Sequence, residues 1–134
     1  MESVAKTNKL VLATFLDELS NFIDLVCSLL PTNKEMESNK AYFITCKKVN
    51  PRIVLISWYS DIACLFGKEV ENGDLTFFAT HDYMNDDRLK SYSTFIVKLF
   101  ENMKSNILGL KQTDKDLIMQ YIQNISKISS LYKQ

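Results

Sequence analysis

The run from Pro51 to Phe66, PRIVLISWYSDIACLF, constrains this chain more than any other stretch. Ile53, Val54, Leu55, Ile56, Trp58, Tyr59, Ile62, Ala63 and Leu65 leave little polar face beyond Ser57, Ser60 and Asp61. Asn50 followed by Pro51 reads as an N-cap and a proline at the first helical position, where the missing N–H costs nothing. Gly67 is the expected C-terminal stop. A helix this apolar must be covered on several sides, so the other elements have to be arranged around it.

Those elements read as helices too. Leu12, Phe15, Leu16, Leu19, Phe22, Ile23, Val26 and Leu29 recur at spacings of three and four, predicting a helix over 8–30 that Pro31 stops. Residues 31–38 read as a polar connection and 39–48 as a short helix, with a strand as the alternative because Tyr42, Phe43, Thr45 and Cys46 tolerate one. Leu89, Tyr92, Phe95, Ile96, Leu99, Phe100, Met103 and Ile107 predict a helix over 86–108, ended by Gly109, with Asp86 and Asp87 at its positive end. A capping box at Thr113 opens the last helix, whose positions 118, 121, 125, 128 and 132 follow a heptad that suits pairing with the helix before it. Between Gly67 and Asp87, Asn72-Gly73 marks a turn. Leu75, Phe77, Phe78 and Tyr83 are too many large apolar groups for a free loop, so a short helix over 75–80 is expected, with a β-hairpin as the alternative.

The chain, residues 1–134, is therefore expected to be all-α, a single-domain bundle of five to six helices. Only three Gly and two Pro oppose a turn-rich β fold, and 134 residues bury about two thirds of their unfolded surface without staples. Cys27, Cys46 and Cys64 are odd in number, lack a CxxC pair and fall on apolar faces, as buried free thiols do. MESVAKTNK carries no signal core, and no apolar stretch is long enough to span a bilayer, so an intracellular protein, cytoplasmic or nuclear, is expected.

Net charge is zero, but it is a zero made of blocks. Residues 34–52 hold five basic and two acidic groups, 67–87 one basic and six acidic, and 88–134 eight basic and three acidic. Such blocks are either solvated helix faces or a dipolar surface that orients assembly with copies or partners.

Candidate chemistry is thin. His81 is the only histidine, so any triad, Cys-His pair or imidazole metal site must use it, with Asp82 the neighbour that could fix its tautomer. Asp74, Asp82, Asp86 and Asp87 lack the alternation of a calcium loop. Glycines at 67, 73 and 109 are too far apart for a phosphate-cradling loop, which also removes dinucleotide-type binding. No catalytic residue, metal or cofactor is assigned. Lys47, Lys48 and Arg52 sit beside a helix N-terminus and suit phosphate contacts, but only two Arg exist in the chain. Trp58 and Tyr59 point about 100° apart on a helix. Core packing is expected for both, with the alternative that one is core and the other lines a groove or a subunit contact. The candidate partner-binding set is Trp58, Tyr59, Phe77, Phe78, Tyr83, Lys47, Lys48 and Arg52.

The order Trp58-Tyr59, Gly73-Asp74, Phe77-Phe78, Asp82-Tyr83, with a last helix ending in Leu131-Tyr132, is similar to small uncharacterised helical proteins of large nucleocytoplasmic DNA viruses. The resemblance implies a viral product, part of a virion or of an infected-cell complex, and brings no catalytic residues. Viral Bcl-2-like host-interaction proteins match in size and helical content, but their Asn-Trp-Gly-Arg helix start is missing. Taken together, the sequence predicts a non-enzymatic protein that binds other proteins or itself, with a nucleic-acid-associated regulator as the alternative.

Overall fold

The computed structural model describes residues 2–89 and 94–134. Pro51 begins the central element, as expected: the Asn50 side chain accepts from the Ile53 N–H at 3.4 Å and α3 runs from Pro51 to Trp58. It continues without a break into a π-helical turn, Tyr59–Cys64, and reaches Phe66. Leu55, Trp58, Ile62 and Phe66 on this rod are all buried. Gly67 does not stop it in a left-handed conformation. It opens a short helix, α4 (Gly67–Glu71), and among the described residues the one positive φ, +65°, belongs to Gly73.

Around the rod lie α1 (Glu2–Leu29), α2 (Lys34–Val49), α5 (Leu75–Thr80), α6 (Thr94–Ile107) and α7 (Gln112–Ser130). The fold is all-α. Among the described residues there are seven α-helices and no strand, so neither the strand at 39–48 nor the hairpin at the Asn-Gly turn forms. Helix α2 starts five residues earlier than its apolar pattern does. Asn33 caps it by accepting from the Met36 N–H at 3.3 Å, Glu35 and Glu37 occupy the first turn, and Met36 is fully buried beneath it. The expected polar connection is thus mostly helix.

Helices α6 and α7 do not pair, although only residues 108–111 link them. Trp58 stands between them. Its ring lies 5.4 Å from Phe100 on α6, and its indole N–H donates to Ser126 Oγ on α7 at 2.9 Å. The heptad face of α7 therefore packs on α1, where Tyr121 lies 5.8 Å from Phe22, instead of on α6. The start of α7 also differs from expectation: no side chain caps it, Thr113 lies inside the first turn, and Gln112 Nε2 donates to Asp116.

The 86–108 prediction is shortened. Asp86 is drawn away from α6 by His81 and Arg88, and two 3₁₀ turns, Tyr83–Asn85 and Asp87–Leu89, precede the residues outside the description, among them Lys90 and Tyr92. Gly109 has no positive φ; α6 ends two residues before it.

Candidate functional site

The aromatic residues expected to meet partners separate into two groups. Trp58, Phe78 and Tyr83 are 0–1% exposed and are removed from the partner-binding set: they build the core. Apolar content made them look like contact residues, but the same content explains their burial. Tyr83 donates its hydroxyl to the Phe78 carbonyl at 2.7 Å, and burial pushes its phenol well above the ordinary range. Tyr59 and Phe77 are half-buried and still reach the surface.

His81 is not a bare surface imidazole. It stacks on Phe77 at 4.8 Å and meets Phe66 and Tyr83 edge-on at 5.1 and 4.9 Å. Its Nε2 is 2.9 Å from Asp86, whereas the expected neighbour, Asp82, accepts from Asn85 instead. Arg88 donates to both oxygens of Asp86 at 2.8 and 2.6 Å and lies 5.5 Å over the Phe66 ring. Arg88 first, and His81 after it, hold the Asp86 carboxyl well below the usual range. The Lys104 ammonium donates to the His81 carbonyl at 2.7 Å and pairs with Glu101 at 3.0 Å. His81, Asp86, Arg88 and Lys104 all find partners inside the cluster, so the arrangement locks the 75–89 segment onto Phe66 and α6. Among the described residues no three His, Cys, Asp or Glu side chains are placed to hold a metal ion.

Tyr59 lines a cleft of about 640 Å³ between the π-turn and α7, together with Ala63, Cys64, Gly67, Ser126 and Lys127. Cys64 is exposed there, against the expectation of three buried thiols; Cys27 and Cys46 are half-buried. Burial, and then Glu37, raise the Cys27 thiol.

Lys47, Lys48 and Arg52 remain, and all three are exposed. They flank the α2–α3 turn, and the fold brings two further segments to that end. Asn8 Nδ2 donates to the Lys133 carbonyl at 2.6 Å while the Lys133 N–H donates to Asn8 Oδ1 at 2.8 Å, a two-way amide clamp between the start of α1 and the end of α7. Arg52 lies 5.9 Å over the Tyr132 ring, which joins the third segment to the same end. Residues 3–14, 46–56 and 127–134 contain Lys6, Lys9, Lys47, Lys48, Arg52, Lys127 and Lys133 and no acidic residue at all. Four exposed aliphatics, Val4, Leu10, Val49 and Leu131, lie in the same segments.

No protein-family model, curated protein or solved structure matches the chain.

The basic end is the one surface where expected site residues converge and stay accessible. Sequence reasoning found its middle segment and missed the flanks. Their signal was present as two acid-free stretches 113 or more residues apart, which only the Asn8–Lys133 clamp makes neighbours. No helix among the described residues is long and apolar enough to cross a membrane.

Proposed function

We propose that this chain is a non-enzymatic helical domain that binds other proteins and acts as an assembly component, docking an acidic protein surface through its basic end. The observation that carries this reading is the gathering of six cations, Lys6, Lys9, Lys47, Lys48, Arg52 and Lys133, from three acid-free segments beside exposed Val4, Val49 and Leu131. Unpaired charge steers an acidic partner, and the aliphatics give contact area once water is excluded. A nucleic-acid ligand accounts for the lysines but leaves the aliphatics without a role, and one Arg at the site is little for base reading. A virion or an infected-cell complex is the setting that the sequence resemblance implies.

The test is a capture experiment from nuclease-treated native cell extract with wild-type chain and the Lys47→Glu/Lys48→Glu variant. A captured protein is identified, purified and bound directly. Salt-sensitive binding to the wild type, weakened tenfold or more in the variant, supports the reading. Equal binding by both chains removes the basic end from it. Retardation of DNA or RNA at low salt that the same variant abolishes favours the nucleic-acid alternative.

A further inference from the structure

The compensation for the basic end lies on the same molecule, at its other end. The rod that begins beside Arg52 ends at Phe66, ~20 Å further on, and the acidic segment 67–87 is folded around that far end. Gln123 Nε2 on α7 donates to the Val70 carbonyl at 3.0 Å, and Phe66 packs on Phe77, Phe78 and Tyr83 at 5.0, 6.1 and 6.4 Å. Six acidic residues against one lysine lie in this segment, and Glu71, Asp74 and Asp82 are exposed. Of the cations close to it, Arg88 and Lys104 are engaged by Asp86 and Glu101, while Lys115 and Lys127 line clefts beside Asp74 and Glu71. The acidic end also carries exposed apolar groups, Met84 at 59% and Leu108 at 45%.

Arg52 and the acidic segment that begins past Phe66 stand ~20 Å apart, more than a Debye length at physiological salt, so these two ends do not neutralise each other. The acidic, partly apolar surface that matches the basic end is thus present in every solution of the protein. We propose that the basic end of one copy docks on the acidic segment of the next, head to tail. This rests on the protein-binding reading and names its partner as a second copy of the chain. The two contacting surfaces differ, so the contact is heterologous. It leaves a free basic end and a free acidic end in each dimer, and the product is a longer chain or a ring of copies, not a closed pair.

The test is solution mass by light scattering over a range of protein and salt concentrations. Wild type is expected to rise above 15.5 kDa with concentration at low salt and to return to it at about 0.5 M salt, where the Debye length is short. Two variants are then compared, each checked for helix content by circular dichroism: Lys47→Glu/Lys48→Glu/Arg52→Glu, acidic at both ends, and Glu71→Lys/Asp82→Lys, with its acidic end weakened. Each alone is expected to stay monomeric, and equal mixing is expected to give a 1:1 dimer of about twice 15.5 kDa and nothing larger, since neither variant keeps both ends. A wild type that stays at monomer mass at low salt overturns the proposal, and that result needs no variant to fold. A defined dimer that the second variant leaves intact also overturns it, since the acidic segment then takes no part. A monomeric wild type that still captures a partner through Lys47 and Lys48 removes self-association and leaves the protein-binding reading standing.

Discussion

The indole N–H of Trp58 donates to Ser126 Oγ at 2.9 Å, across the centre of the molecule and 68 residues of chain. Phe15, Phe22 and Phe100 surround the same ring at 6.4, 6.2 and 5.4 Å, so the one polar atom of the side chain has its partner in an otherwise apolar nest. The Ser126 hydroxyl thereby fixes which way the indole points. Ser126→Ala is expected to lower the unfolding free energy by about 1–3 kcal/mol, because it leaves a buried donor unpaired. In a Trp58→Phe background the same change should cost much less, since no donor remains. Urea midpoints of the four chains give the coupling directly. Trp58→Phe removes the only tryptophan, so helix content by circular dichroism reports the transition in all four chains.

Asp61 lies in the π-turn, 1% exposed, and its Oδ2 has no hydrogen-bond partner among the described residues. Burial alone raises its carboxyl to about 6 from 3.8. A raised carboxyl means the folded chain holds the proton more tightly than the unfolded one. Stability from this group is then full below pH 3.8, falls as pH rises towards 6, and stays low above it. At 1.36 kcal/mol per pH unit the loss amounts to at most about 3 kcal/mol. Asp61→Asn should abolish that dependence. The stability difference, variant minus wild type, should grow between pH 4 and pH 7; a difference that stays flat over this range would sink the assignment.

The architecture was legible because burial at helical spacing is a local property. Asn50-Pro51 and the apolar rod fixed the centre, and α1 and α7 followed from their stripes. What was not legible depends on contacts far apart in sequence. Nothing local in residues 31–38 outweighs their polarity; helix α2 starts there because Asn33 both caps it and donates to the Asn102 carbonyl and Asn106 Oδ1 on α6 at 2.8 and 2.9 Å. The parting of α6 from α7 depends on the volume of Trp58, which a loop-length rule cannot see. Trp58, Phe78 and Tyr83 look like contact residues in the sequence for a related reason: hydrophobicity is legible there, but not which hydrophobic face is covered. Lys47, Lys48 and Arg52 stayed accessible because burying an unpaired ammonium or guanidinium is too costly.

Two glycines of the same segment should respond in opposite directions. Gly73 sits at φ +65°, which an L side chain adopts at a cost of about 1–2 kcal/mol. An added Cβ there meets Gln123 Nε2 at 3.5 Å and Met119 Cγ at 3.9 Å, ordinary contacts, so the backbone term decides the outcome. Gly67 has an ordinary φ, opens a helix and would place its Cβ in free space. Gly73→Ala is expected to destabilise by that amount, and Gly67→Ala to be neutral or to gain up to about 1 kcal/mol through lower unfolded-state entropy. Thermal midpoints of the two variants decide between them. Equal losses at both positions would mean that space, and not φ, is limiting.

Asp86 should impose the reverse pH dependence of Asp61. Its side chain is 7% exposed, and Arg88 and His81 depress its carboxyl below the unfolded value of 3.8. A depressed carboxyl stabilises the fold above pH 3.8, and that contribution is lost as pH falls. Asp86→Asn is expected to cost about 1.5–3 kcal/mol at pH 7, the range for hydrogen bonds to a charged group. The gap to wild type should close progressively below pH 4, the range in which the Asp61 contribution no longer changes with pH. The two partners can be ranked as well. Arg88→Ala should move the carboxyl titration of Asp86, followed by carbon NMR, further towards the ordinary range than His81→Ala does. Arg88 supplies two of the three side-chain contacts to the carboxylate oxygens, and its charge holds at every pH used, whereas the imidazole gives one contact that depends on its tautomer. If His81→Ala gave the larger movement, the guanidinium contact would be a surface pairing of little consequence, and the 83–89 turn would be held by the imidazole instead.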